Sequence, residues 1–534
     1  MPKQLLYDVS GRRKLTAGMQ TLARTVRATL GPTGKNVVID KKFGQPVSTK
    51  DGITVSKEVE LEDPFENMGA KILNEVASRT NDNVGDGTTT AVVLADRMIE
   101  EGRKYLAGGV QPTDIRRGIE KAVEKAVGAI RSLAIAVKEY KEIRQVAYIA
   151  SNSDEEVGKM VADAMEKVGK DGVITIEESK GTETHLEIVK GMQFDKGFIS
   201  PYFMTDTKTL AAELEDPYIF FYEKKLGDLR GFVPLLEKLH LSGKPLLIIA
   251  EDVEGELLAG LVINKLQGVL KCVAVKAPGF GDRRRYLLED MAVLTGGQLI
   301  SEDLGLTLEK VELSHFGRAK KVIVEKDKTT IVRGAGKSSA VESRIDQINT
   351  QIEQTTSTYD KEKLTERKAK LAGGIGILYV GGHTEVEMKE RKDRATDSLH
   401  AARAAVEEGI VPGGGTALLR ALEAIEGLKA RGDEQFGVET VQAALEEPAR
   451  RIAENSGLDS GEVIGEILDR KGNVGFNART GEFTDLIKAG VVDPAKVTIT
   501  ALQNAASAAA LNLTADVLIT EVKKETGPVY ESVT

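Results

Sequence analysis

Leu15, Met19, Leu22, Val26 and Leu30 recur at spacings of three and four, which puts them on one apolar face of an amphipathic helix. The alanine-rich stretch Ala501–Leu513 predicts a helix packed closely into a core. Residues 1–132 and 408–534 read as mostly helical. The middle of the chain has another rhythm. Lys244-Pro245 leads into the apolar run Leu246–Ala250, a helical segment spans Gly255–Gly268, and a second apolar run covers Val269–Val275. This is a βαβ pattern, which favours parallel strands. Lys320–Val324 and Thr329–Val332 flank charged residues and predict a hairpin. Val341, Ile345, Ile348 and Ile352 form a narrow stripe, and Leu364 and Leu371 form another. With Ser357-Thr358-Tyr359-Asp360 between them, they predict two antiparallel helices. Gly373-Gly374 and Gly381-Gly382 punctuate the return to helical territory as hinges or as simple turns.

At roughly 150 residues per domain, 534 residues make three or four domains. A composition of 41% hydrophobic and 29% charged residues is that of a soluble protein. The formal net charge of -9 gives no pull toward nucleic acid or an anionic membrane. The densest basic run, Arg283 to Arg285, reads as a solvated helix start. Cys272 is the one cysteine, so no disulfide can form within the chain, which fits a reducing compartment. Its apolar surroundings predict a buried, inert thiol. The five histidines show no HExxH spacing. No window offers about 18 consecutive apolar residues, and Met1 to Gln4 does not open a leader. The expectation is a bacterial cytoplasmic protein with no membrane or nucleic-acid partner.

The most informative local motif is Gly85-Asp86-Gly87-Thr88-Thr89-Thr90, directly before an apolar run. Glycines admit a ligand close to the backbone, while threonine hydroxyls and helix N-terminal amides donate to phosphate oxygens. Asp86 would repel phosphate unless a cation intervened, which points to Mg²⁺. An Asp/Thr-capped helix start would give the same residues. Thr29-Leu30-Gly31-Pro32-Thr33-Gly34-Lys35 is either a phosphate-wrapping loop or a Gly-Pro helix stop. Val411-Pro412-Gly413-Gly414-Gly415-Thr416 again opens a helix where a ligand or another backbone must come close. Gly336-Lys337-Ser338 imitates the end of a Walker A loop, but Ile331 stands where its first glycine belongs.

Taken in order, Thr29–Pro32, Lys50-Asp51-Gly52, Gly85–Thr90, Asp397-Ser398-Leu399-His400-Ala401, Pro412–Gly415, Asn477-Ala478 and Val491-Val492-Asp493-Pro494 resemble the group I chaperonin pattern of the GroEL type, over about residues 7 to 520. The resemblance implies a multidomain α and α/β fold. A mostly helical equatorial ATP-binding domain would use residues 1–132 and 408–534, a small hinge-like intermediate domain 133–189 and 376–407, and an α/β apical domain 190–375. It implies ATP hydrolysis with Mg²⁺ and K⁺, two stacked heptameric rings, a GroES-type co-chaperonin lid and non-native client proteins. By position, Asp86 would hold Mg²⁺. Gly87, Thr88, Thr89 and Thr90, with Leu30, Gly31 and Pro32, would cradle phosphates. The carbonyls of Thr29 and Lys50 would lie near K⁺. Asp397 would orient the attacking water with Asp51 opposite, and Gly414, Asn477, Ala478 and Asp493 would contact adenosine.

Two segments are too apolar for a single buried stripe: Leu226, Leu229, Phe232, Val233, Leu235, Leu236 and Leu239, and then Leu257, Leu258, Leu261, Val262, Ile263 and Leu266. Both read as helices, either buried on two faces or keeping one face for a partner. The resemblance favours a partner, with Phe198, Tyr202, Phe203, Val233, Leu236, Leu258, Val262 and Ile263 lining a client-binding rim. The sequence departs from the family at three places. Phe198 lacks the tyrosine hydroxyl common there, Arg479 replaces a small residue, and the segment from Thr526 to Thr534 lacks a Gly-Met repeat. The rival classes are an ATP-dependent small-molecule enzyme, for which no second polar pocket is legible, and a ring-forming scaffold with vestigial ATPase activity. Asp51, Asp86 and Asp397 argue against the latter.

Overall fold

A computed structural model describes residues 3–40, 46–137, 139–151, 154–169, 172–179, 181–206, 210–301, 305–355 and 357–521. The tail from Thr526 therefore lies outside the described residues. The chain divides into two compact units, Met1–Asp163 with Thr384–Thr534, and Ala164–His383. The segments assigned by resemblance to an intermediate domain are shared between them: 133–163 and 384–407 belong to the first unit, 164–189 and 376–383 to the second.

In the first unit, Leu15, Met19, Leu22 and Val26 are buried on one face of the helix Asp8–Arg27, as their spacing predicts. Leu30 lies beyond the helix end. This helix crosses Pro64–Val84 at two glycines. A Cβ on Gly18 would stand 1.7 Å from the Glu66 carbonyl oxygen, and one on Gly69 would stand 1.9 Å from that of Leu15. Backbones this close exclude any side chain, and the tight crossing buries Leu73, Val76 and Ala77 in the same core as Leu22 and Val26. The helix Ala495–Thr514 adds the buried faces of Ala501, Ala505 and Ala509, small residues that let it lie close to its neighbours. Lys3–Tyr7 pairs antiparallel with Val517–Glu521, Leu5 opposite Ile519, so both arms of the chain meet in one sheet.

The second unit holds the predicted βαβ layer. Tyr218–Leu226, Leu246–Val253 and Cys272–Lys276 are adjacent parallel strands. Their near-continuous burial is what a sheet covered on both faces requires. The hairpin forms from Gly317–Val324 and Thr329–Gly334, with Ile331 opposite Val322. Ile375–Val380 lies between Val173–Glu178 (parallel) and His185–Val189 (antiparallel) in a separate three-stranded sheet. The helical pair forms as Ser338–Gln354 and Thr358–Ala372, the second capped by the Ser357 hydroxyl. It is fastened to the helix Gly281–Thr295 through the buried Asp290, which accepts from Arg344 at 2.7 Å and from Arg367 at 2.8 and 3.0 Å.

Three expectations change. Leu226 ends a strand and Leu229 lies in a turn, because the first apolar helix begins only at Val233. The arginine run is not freely solvated: Arg283 pairs with Glu366, Arg284 with Glu251 and Arg285 with Glu289. Phe203 is fully buried at 0% exposure in the core of the second unit, so its ring does not reach the surface. Cys272 behaves as read. Its Sγ lies 3.6 Å from the Leu261 carbonyl oxygen, and burial pushes its pKa up to about 12. Among the described residues no helix is long and apolar enough to cross a membrane.

Candidate nucleotide site

The first unit brings the glycine-rich and aspartate motifs together. Gly85 ends the helix Pro64–Val84 in the left-handed conformation, and Gly87, also left-handed, precedes the helix Thr88–Ala107. Asp86 is thus turned out between two backbone reversals, with the Gly87 N–H donating to its carboxylate at 2.6 Å. Asp51 caps the short helix Gly52–Lys57, accepting from the backbone N–H groups of Ile53 and Thr54 at 3.2 and 3.0 Å and from the Thr54 hydroxyl at 2.5 Å. Gly52 lies directly on the threonine turn, where a Cβ would stand 2.1 Å from the Thr89 hydroxyl and 3.2 Å from that of Thr88.

Asp397 is carried by the helix Glu385–Glu408. His400, one turn along the same face, packs so closely on Gly85 that a Cβ there would stand 1.9 Å from its Nδ1. That contact lays the helix along the Asp86 loop. The carboxyl of Asp397 is held well above its ordinary pKa, first by burial and then by Asp51, Asp86 and Asp393. Asp86 is also raised, by burial and then by Asp51. Asp493 is pushed up to about 7 by burial and by Asp86. Among the described residues no ion pair forms at Asp51, Asp86, Asp397 or Asp493, and Asp86 acts electrostatically on or with each of the other three.

A second group of contacts forms the opposite wall. Ile410–Pro412 pairs with Val492–Pro494, which sets Asp493 beside the glycine turn. A Cβ on Gly413 would meet the Asp493 carboxylate at 3.2 Å, and one on Gly414 would meet the Phe476 carbonyl at 3.4 Å. Asn477 and Ala478 follow at the end of the strand Val474–Asn477. The helix Glu447–Asn455 backs two glycine loops at once, touching Gly31 through Ile452 and Gly415 through Ala449. Its last residue, Asn455, donates to the carbonyls of Arg27 and Leu30 at 3.1 and 2.9 Å and fixes the Thr29–Pro32 loop. Thr29 is buried, with its hydroxyl donating to the Val26 carbonyl, while Lys50 is exposed. Arg479 is engaged by Tyr148, to whose hydroxyl it donates.

His400 and Asn455 are contributors that motif reading did not single out. His400 was visible only as part of the Asp397 segment, and nothing local marks Asn455. Among the described residues no three metal-ligating side chains form a ready-made cage. The donors present are instead two carboxylate-bearing loops, threonine hydroxyls and helix N-terminal amides. That set suits a hard cation held jointly with an anionic ligand. The Thr416 hydroxyl, buried without a partner at the glycine turn, is a further polar group available there.

The chain matches the TCP-1/cpn60 chaperonin family over residues 22–523. The crystal structure of the chaperonin gp146 from bacteriophage EL 2 (Pseudomonas aeruginosa), determined in the presence of ATP-BeFx, has the same fold. The two agree with a TM-score of 0.70 at 23% identity, over 97% of this chain and 99% of that one. The chain therefore belongs to the TCP-1/cpn60 chaperonin family, as a chaperonin subunit of the GroEL type.

Proposed function

We propose that this chaperonin hydrolyses ATP at the Asp51–Asp86–Asp397 cluster and uses the cycle to capture, enclose and release non-native proteins. The observation that supports the reading is the set of carboxyls gathered around Asp86, namely Asp51, Asp397 and Asp493, among the glycine and threonine turns of one unit. Asp86 would hold Mg²⁺, with Thr29 and Lys50 supplying carbonyls to K⁺. Bound magnesium supplies charge neutralisation at phosphate oxygens. Thr88, Thr89 and Thr90, with Gly87 and the Leu30-Gly31-Pro32 turn, bind and orient the phosphates. Gly414, Asn477, Ala478 and Asp493 hold the nucleoside. Asp397 orients the attacking water. Burial, Asp51, Asp86 and Asp393 hold its carboxyl above the ordinary range, and a cation among these acids would favour its ionised, proton-accepting form. Asp51, fixed by its cap bonds, faces it from the other side.

The second unit supplies the client surface in this reading. Leu235, Leu239, Leu257 and Leu261 are buried, which anchors both apolar helices. Tyr202 (62% exposed), Ile263 (52%) and Val233 then lie open, while Phe198, Leu236, Leu258 and Val262 are half-buried beside them. Non-directional apolar burial suits chains of any sequence, and several subunits of a heptameric ring acting together would multiply a weak contact. A GroES-type lid competing for the same surface would release the client into the cavity. A bacterial cytoplasmic setting completes the proposal.

Phosphate release with and without a denatured client tests it. Asp397→Ala should bind ATP nearly as wild type but turn over about 10²-fold more slowly. Wild-type turnover in that variant would remove Asp397 from the mechanism.

A further inference from the structure

Arg420 is an unusual buried cation. It lies on the helix Thr416–Glu426 that follows the glycine turn, and it is only 7% exposed. Its donors go mainly to backbone. Nε donates to the Gly472 carbonyl, and Nη2 to the carbonyls of Ile467 and Val474, each at 2.9 Å. Its carboxylate partner, Glu423 at 3.2 Å, is exposed. A buried guanidinium is costly to desolvate, so three convergent carbonyls make a specific restraint on that loop. Val474 begins the strand whose last residue is Asn477. On the same strand Gly475 sits against Thr416, where a Cβ would stand 2.2 Å from the hydroxyl, and the Phe476 carbonyl comes down on Gly414.

We infer that Arg420 is a positioning residue for the nucleoside end of the site: it draws the Val474–Asn477 strand onto the glycine turn and so sets the gap between Gly414 and Asn477-Ala478. This rests on the nucleotide reading above. Among the described residues the hydrogen bonds of Arg420 go to Ile467, Gly472, Val474 and Glu423, none in a phosphate-binding segment, so its effect is confined to the nucleoside and spares the triphosphate. Lysine keeps the charge and has three donors, but all sit on one nitrogen and cannot span carbonyls that Arg420 meets through the separated Nε and Nη2. Gly475→Ala lifts the same strand from the other side.

The test is equilibrium binding of ADP and, separately, of inorganic tripolyphosphate to the wild-type protein, to Arg420→Lys and to Gly475→Ala, with magnesium present. Both variants should lose about tenfold in ADP affinity, as for a modest misplacement of binding groups. Tripolyphosphate binding should stay within about twofold, and in turnover KM for ATP should rise while kcat holds. Unchanged ADP affinity in both variants, or an equal loss for both ligands, overturns the positioning role. A wild-type protein that binds neither ligand overturns the nucleotide reading itself, and the inference with it.

Discussion

Asp493 offers a direct measure of the strain that the site places on its own acids. Burial and Asp86 lift its carboxyl from the ordinary 3.8 to about 7. At 1.36 kcal/mol per tenfold change in proton affinity, that rise sets a ceiling of about 4 kcal/mol against the ionised form. Asp493 keeps some contact with water, so about 2 kcal/mol is the working figure. The native carboxyl binds its proton more tightly than the unfolded one. Its contribution is therefore most favourable below pH 4, falls as the pH rises from about 4 to 7, and is level above. Asp493→Asn keeps the shape and removes the charge. In thermal unfolding of the nucleotide-free protein, variant and wild type should nearly coincide near pH 4. By pH 8 the variant should melt about 4 °C higher, at roughly 2 °C per kcal/mol for a unit of this size. The same variant should bind ADP more weakly, because stability is gained by removing a binding group. A melting difference that does not change with pH, or a variant less stable than wild type at pH 8, would refute the argument.

Ile263→Glu should abolish capture of a denatured client and leave ATPase activity intact. Leu236→Glu or Val262→Glu should lose capture too, but with reduced stability, because both side chains also pack on the core. Asp290→Asn should cost about 3–5 kcal/mol by leaving Arg344 and Arg367 without their buried partner, read as faster amide exchange across Ser338–Gln354 and Thr358–Ala372. Gly52→Ala should weaken ADP binding about tenfold in a fluorescence titration, since the new Cβ must displace the Thr89 hydroxyl or the capped helix.

What the sequence revealed follows the range of the forces involved. The stripes of the helix Asp8–Arg27 and of the helical pair, and the apolar runs of the parallel strands, are local patterns and were legible. The motif loops were also legible, because glycine and threonine are chosen there for backbone approach and donation. Pairing across the chain leaves no such mark. Nothing near Leu5 announces Ile519, and nothing near Asn455 announces Leu30. Leu226 misled because a buried strand and a buried helix are equally apolar over so few residues. Phe203 misled because position in a motif says nothing about which way a ring turns. The arginine run looks solvated in the sequence because two of its partners, Glu251 and Glu366, stand far from it.

The meeting of the chain's two arms has a consequence for biosynthesis. Leu133 leaves the ribosome roughly 280 residues before Ile410, a delay on the order of 15–60 s at ordinary translation rates. During that time the helices Asp8–Arg27, Pro64–Val84 and Pro112–Leu133 have apolar faces but lack the Ala495–Thr514 helix that covers them. The second unit, continuous in sequence, can close meanwhile. This chaperonin is thus itself an unfinished chain for most of its own synthesis, with the turns that bring Asp86 and Asp493 together the last part to be completed.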